Sequence, residues 1–191
     1  MSLKTASKLV KEHHYSRGGS RLRVYAHGLF LRGYEQEEFC LGVCWWIPPT
    51  KTAAQKTFPP NWMGVLSLSR MVILPGVPTN ACSFLLSKSI KMIDRNKYPA
   101  LVTYADDWRG HDGTVYKASN WVFAGKTKPE RCYTLDGRML SRKCGPKTRT
   151  HKEMIDLGCE MVGCFSKSKF VNISPQKAKR GIDETGTTPR S

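Results

Sequence analysis

Between Leu66 and Gly125 the order of apolar runs and breaks leaves few folds open. Leu66–Leu74 reads as a strand, Pro75–Asn80 as a loop and Ala81–Asp94 as a helix. Ala100–Ala105 is a second apolar strand, and Asp106–Gly113 a polar loop at its end. A short helix over Gly113–Asn120 and a strand over Trp121–Gly125 complete the run. Strands alternating with helices predict an α/β or α+β domain, with helices covering a central sheet. Two charges stand out within it. Arg70 interrupts the first strand, and by strict alternation it shares a face with Leu66, Leu68, Val72 and Leu74. A cation on an apolar face needs a partner or a wet cleft, and Asp106, closing the next strand, is the natural candidate.

The rest of the chain extends this frame. Ser2 caps a helix running to about His14, with Leu3, Ala6, Val10 and His14 on one inward stripe. Tyr15 follows, before the Gly18-Gly19 break. Leu22–Leu31 and Phe39–Ile47 read as strands, and Thr50–Pro60 as a polar loop able to act as a lid. Tyr133–Leu140 is a hairpin around Asp136-Gly137. Thr150–Leu157 reads as a short helix and Lys169–Ile173 as a last strand. The expectation is one domain over residues 1–175, a basic hairpin extension at about 126–150 and a loose polar tail over 176–191.

Charge points to the partner. Lys and Arg number 31 against 15 Asp and Glu, a formal net charge of +16. A polyanion such as DNA or RNA is the first expectation for a folded chain so basic. The charge concentrates in Lys126, Lys128, Arg131, Arg138, Arg142, Lys143, Lys147 and Arg149, which could follow a phosphate backbone. Trp108, Trp121 and Tyr133 offer faces for a displaced base, or serve as core. The seven cysteines lack the two-residue gaps of zinc knuckles and fit a reduced cytosolic protein. No apolar run approaches the roughly 20 residues of a membrane span. A strand delivering a Gly/Pro loop to a helix start makes Asn80, Ala81, Cys82 and Ser83 a candidate pyrophosphate site, through their backbone N–H groups.

Two of these stretches together resemble the GNAT N-acyltransferase pattern. They are the Arg70 strand with its loop and helix, and Gly113-Thr114-Val115-Tyr116-Lys117-Ala118-Ser119-Asn120-Trp121. A narrower resemblance is carried by His14-Tyr15-Ser16, Leu68-Ser69-Arg70, Tyr104-Ala105-Asp106 and Gly110-His111-Asp112-Gly113-Thr114-Val115-Tyr116. These look like the phage Mom proteins, DNA-modification enzymes of the phage Mu type. The resemblance implies a GNAT-like mixed, mostly antiparallel twisted sheet flanked by helices. It also implies conversion of adenine in double-stranded DNA to N6-carbamoylmethyl-adenine in the host cytoplasm, which shields the DNA from restriction. Carried over residue by residue, the catalytic set is His14, Tyr15, Arg70, Asp106 and Tyr116, with Ser83 at the cofactor loop. The family's fold implies a coenzyme A thioester, such as acetyl-CoA, although this chain has Asn80 and Cys82 where acyltransferase loops usually place glycine.

Adenine N6 is a poor nucleophile because its lone pair is delocalised, so a base must help as the bond forms; His14 or Asp106 fits that role. Arg70 would keep Asp106 ionised, and Tyr116 would protonate a leaving group. Simple acyl transfer would attach a carbonyl carbon, whereas this product attaches a methylene. The donor is therefore not a simple acyl thioester, or a second chemistry intervenes. Iron held by His14, Tyr15, Asp106 and Tyr116 would be one such chemistry. The competing readings are an N-acetyltransferase of a protein or small amine, and a DNA-binding protein without catalysis. A homodimer is compatible with the sequence but not specified by it.

Overall fold

The computed structural model describes residues 1–14, 22–144 and 147–174. Tyr15 and the 176–191 tail lie outside these residues. The chain divides into two compact units: Met1–Thr103, Gly113–Ala124 and the chain from Phe170 form one, and Tyr104–Asp112 with Gly125–Lys169 the other.

The first unit is built on a sheet. Its elements are α1 (Leu3–His13), β1 (Tyr25–Leu29), β2 (Gly42–Ile47), α2 (Lys51–Thr57), β3 (Val65–Ile73) and α3 (Ala81–Met92). They are followed by β4 (Ala100–Asp106), α4 (Thr114–Lys117) and β5 (Val122–Lys126). Beyond β6 (Glu130–Leu135), β7 (Arg138–Leu140), β8 (Lys143–Cys144), β9 (Lys147–Thr148), α5 (His151–Asp156) and β10 (Glu160–Phe165), β11 (Lys167–Ile173) returns to the sheet. Strand order is β1-β2-β3-β4-β11-β5. The β1–β2 and β2–β3 pairs are antiparallel, and β3–β4 is parallel. The architecture is the mixed, mostly antiparallel, helix-flanked sheet that the family resemblance implies.

β2 is buried on both faces, with Trp45 and Trp46 fully enclosed. Trp45 joins Val43, Val72, Ala26 and the Ala6, Leu9 and Val10 stripe of α1 in one core. Trp46 faces the other way and donates from Nε1 to Ser89 Oγ of α3 at 2.7 Å. The same hydroxyl lies 2.7 Å from His27 Nδ1, so the polar atoms buried under α3 satisfy one another.

A bulge corrects the sequence reading of Arg70. Trp45 pairs with Arg70 but Trp46 pairs with Leu68, so Ser69 is an extra residue in β3. One inserted residue reverses the alternation beyond it. Arg70 therefore joins Trp45 and Val72 on the α1 face, while Leu68 joins Trp46 on the α3 face. It does not share a face with Leu66 and Leu68.

The segment over Thr50–Pro60 is not a loop. Thr50 Oγ1 accepts from Ala53 N and starts α2, and a 3₁₀ turn over Pro59–Gly64 follows. Thr50 is a good cap and Lys-Thr-Ala-Ala-Gln-Lys a fair helix former, but with Ala54 alone buried there is no apolar stripe to reveal it.

Glu37 pins the start of α1. Its carboxylate accepts from the hydroxyls of Ser2 (2.6 Å) and Thr5 and from the Ser2 backbone N–H. These bonds hold its pKa down from 4.5 to about 2. A depressed carboxylate pKa stabilises the fold above the unfolded value. The contribution should be complete above pH 4.5 and vanish as pH falls towards about 2. Urea midpoints of wild type and Glu37→Gln should accordingly differ at pH 6 and converge near pH 2.

The second unit has its own sheet, ordered β10-β6-β7, and a separate antiparallel β8–β9 pair. Asp136 (φ 49°) and Gly137 (φ 70°) form the expected tight turn between β6 and β7. β10 carries no sequence signal of a strand: its side chains are mostly exposed, and a bulge between Met161 and Gly163 breaks its alternation. The core is Tyr133, Met154 and Cys159, and the Tyr133 hydroxyl lies 2.8 Å from His151 Nδ1. A reciprocal Thr150–Glu153 capping box starts α5.

Candidate functional site

In the first unit β3 and β4 pair only from Val65–Ala100 to Ser67–Val102. β3 then runs on through the bulge to Ile73 and the Pro75–Asn80 loop. The loop delivers α3, whose N-terminus has no side-chain cap and no acid in its first turn. Ser83 Oγ donates to Asn80 O at 3.0 Å, and Ala81 N donates to Pro78 O at 2.9 Å. Cys82 Sγ points at Met71 Sδ, 3.8 Å away, which fixes the first turn of α3 against β3. The sequence-assigned residues Asn80–Ser83 thus lie at a helix start that has no side-chain cap.

Tyr116 lies on this side of the sheet. Its ring centroid is 5.3 Å from Phe170 and 5.8 Å from Trp121, and Trp121 stacks on Trp46 at 6.3 Å. Its hydroxyl shares a hydrogen bond with Thr103, and it feels the Cys44 and Cys82 thiols. Burial, the largest influence, pushes the phenol above its ordinary value; the Thr103 bond opposes this. Burial likewise raises the Cys44 and Cys82 thiols, so neither is a ready thiolate. Trp121 Nε1 and Ser119 Oγ are buried here without a partner. Sequence reading did not connect Thr103 or Cys44 with Tyr116, because only the fold brings them beside it, and nothing in the motif shows that Trp121 Nε1 and Ser119 Oγ are buried without a partner.

Gly113 sets the position of α4. Its φ is +77°, and an added Cβ would lie 2.2 Å from Phe170 Cζ. Gly113→Ala combines a left-handed backbone with overpacking, and should destabilise the fold by about 2–4 kcal/mol. Chemical unfolding would measure it; a change below about 0.5 kcal/mol would contradict the packing described.

The other sequence-assigned residues fall on other elements. His14 ends α1, which packs on the Trp45 face, and its N–H closes the helix on Val10 O at 3.0 Å. Arg70 takes that same face and donates from Nη1 to Ser69 O at 2.6 Å. Tyr116 stacks with Trp121 on the opposite, Trp46 face. Asp106 belongs to the second unit.

There, Asp106 lines a cleft of about 410 Å³ together with Arg131, Cys132, Arg142, Phe165 and Lys167. Asp106 is only 7 % exposed. Burial raises the Cys132 thiol, and the Asp106 charge adds to the effect. Phe165 packs on Trp108 at 5.9 Å, and the Arg109 guanidinium covers Trp108 at 4.6 Å. Asp107, by contrast, is structural. It accepts from Lys126 Nζ (2.7 Å) and Ser168 Oγ (3.0 Å), and the lysine holds its carboxyl below the usual range.

Among the basic residues, Lys126 is thus paired with Asp107 and Lys147 with Glu153. Arg142 Nε donates to Arg149 O at 2.9 Å, and Arg149 Nη1 to Ser141 O at 3.4 Å. Lys128, Arg131 and Arg138 lie exposed on β6, β7 and the approach to β6, and Lys143 lies in β8.

The iron expectation is not supported. Among the described residues no three His, Cys, Asp or Glu side chains are arranged to hold a metal. Of the proposed ligands, Tyr15 is outside the described residues, and Tyr116 and the α1 helix bearing His14 occupy opposite faces of the sheet.

The fold and sites define an α+β protein with a helix-flanked sheet and a second, basic unit carrying its own cleft. The sequence profile of the Mom protein family matches residues 1–169, and the chain belongs to that family. None of the curated protein sequences matches it significantly. Among solved structures it is similar to a putative acetyltransferase from Acinetobacter baylyi ADP1, at 10 % identity over 92 % of this chain and 91 % of that one, with a TM-score of 0.48. An N-acetyltransferase from Staphylococcus aureus Mu50 is 14 % identical over 73 % of this chain, and a ribosomal-protein-alanine N-acetyltransferase from Brucella melitensis 11 % over 73 %, both at a TM-score of 0.42. The chain spans 64 % and 65 % of the lengths of these last two. No helix among the described residues is long and apolar enough to cross a membrane.

Proposed function

We propose that this protein is a phage DNA-modifying transferase that converts adenine to N6-carbamoylmethyl-adenine and so protects the DNA from host restriction. Membership of the Mom family across residues 1–169 carries this reading. The geometry supports it with a basic unit suited to a phosphate backbone and a cleft containing a buried carboxylate.

The residues present fit a coenzyme A thioester. The uncapped first turn of α3 offers the Cys82 and Ser83 amides to a pyrophosphate, and Trp121 Nε1, buried beside Tyr116, and the buried Ser119 Oγ are polar groups without a partner. Bound there, the thioester would supply an acyl group whose transfer joins a carbonyl carbon to N6 as the thiolate leaves; the N6–methylene bond and the amide nitrogen of the carbamoylmethyl product require a further reaction beyond that transfer. Tyr116, kept protonated by burial, holds the proton that a departing thiolate needs. Asp106 accepts hydrogen bonds from an amine entering its cleft. Basic side chains hold the duplex by phosphate contacts that carry no sequence information.

Resistance to restriction tests the reading. Plasmid DNA from cells expressing the protein should resist endonucleases whose sites contain adenine, and plasmid from cells expressing Tyr116→Phe should be cut. Equal cutting of wild-type and vector-only plasmid would count against it.

A further inference from the structure

We infer that the cleft of the second unit receives an adenine nucleotide turned out of the duplex; this rests on the proposed function and locates its base pocket. About 410 Å³ is within the range of sites that enclose a small ligand. The lining sorts by chemistry. Arg131, Arg142 and Lys167 are cations suited to the phosphates on either side of a displaced nucleotide. Phe165 supplies an aromatic face, backed by Trp108 and the Arg109 guanidinium, against which a base can stack. Met139 adds apolar contact.

Asp106 gives the cleft its preference. An ionised carboxylate only accepts hydrogen bonds, and its two oxygens provide about four acceptor positions, so an existing bond leaves others available. Adenine and cytosine present an exocyclic amino group as donor, whereas thymine and guanine present a carbonyl at the corresponding position, so the carboxylate selects the amino bases and the proposed function selects adenine among them. A duplex cannot present N6 to a carboxylate that is 7 % exposed. The base has to leave the stack, at a cost of a few kcal/mol that stacking and phosphate contacts offset. Arg131, Arg142 and Lys167 outnumber the two carboxylates of the lining, Asp106 and Glu130, so the cleft can hold a buried carboxylate and still attract a polyanion.

Photolabelling of the full chain with 8-azidoadenosine 5′-monophosphate, followed by peptide mapping, tests this. Label is expected on peptides containing residues 130–142 or 165–167, displaced by adenosine monophosphate and not by thymidine monophosphate. Phe165→Ala removes the stacking face and should lower labelling about tenfold, the effect of losing one base–aromatic stack. Met139→Trp fills the cleft and should abolish both labelling and restriction resistance, while filter retention of duplex DNA and the unfolding midpoint stay near wild type. Label outside the cleft, or full resistance conferred by a folded Met139→Trp protein, would overturn the proposal. Label in the cleft without any resistance from wild type would sink the modification reading and leave the nucleotide pocket standing. Resistance without label would do the reverse.

Discussion

Tyr116→Phe is expected to leave the protein folded and to lower base modification by about 10²- to 10⁴-fold, the range for loss of a positioned general acid. The phenyl ring keeps the contacts to Phe170 and Trp121 that hold α4 in place. What disappears is the hydroxyl and its Thr103 bond, worth about 1 kcal/mol of stability. Burial raises the phenol above its ordinary value of 10, so the proton stays in place across the neutral range. Wild-type turnover that depends on it should fall only above that value, and the variant should lack this limb. Thr103→Val removes the same bond but keeps the acid, and should cost far less activity. Initial rates on purified DNA at several pH values measure these effects. A rate for Tyr116→Phe within a factor of three of wild type would remove the phenol from the chemistry.

DNA affinity should collapse with salt. The segment 126–152 holds nine Lys and Arg residues. Lys126 and Lys147 are paired with carboxylates, and leaving Lys143 aside as well gives about six cations for phosphate contact. Releasing that many counterions predicts a fall in affinity of about 10³-fold between 50 and 200 mM salt. Arg131→Ala and Arg138→Ala should each reduce the slope by about one, whatever the DNA sequence. Fluorescence anisotropy over a salt series gives the slope directly. A flat response would mean that the basic unit does not carry the duplex.

The frame of the first unit was legible because long apolar runs with glycine and proline punctuation leave little choice. α3, β4 and α4 fall close to where the sequence puts them. Ser2 caps α1, and Asp136-Gly137 makes the hairpin turn. Arg70 was misplaced for one reason: no composition signal marks the inserted Ser69, and strict alternation beyond a bulge assigns every side chain to the wrong face. α2 escaped notice because one buried alanine makes no stripe, and β10 because its exposed, bulged strand has no alternation to read. Tyr116 was visible through its motif, but Thr103 and the orphaned Trp121 and Ser119 groups were not, since burial without a partner is a property of the fold. Phe165 and Lys167 reach the Asp106 cleft from about 60 residues away along the chain, a distance no local pattern bridges.

Mass spectrometry of nucleosides digested from the DNA of expressing cells bears most directly on the proposed chemistry. Wild type should yield deoxyadenosine carrying an added two-carbon amide, and Tyr116→Phe should yield it at trace level. Unmodified deoxyadenosine from cells that contain abundant, folded wild-type protein would contradict the assignment.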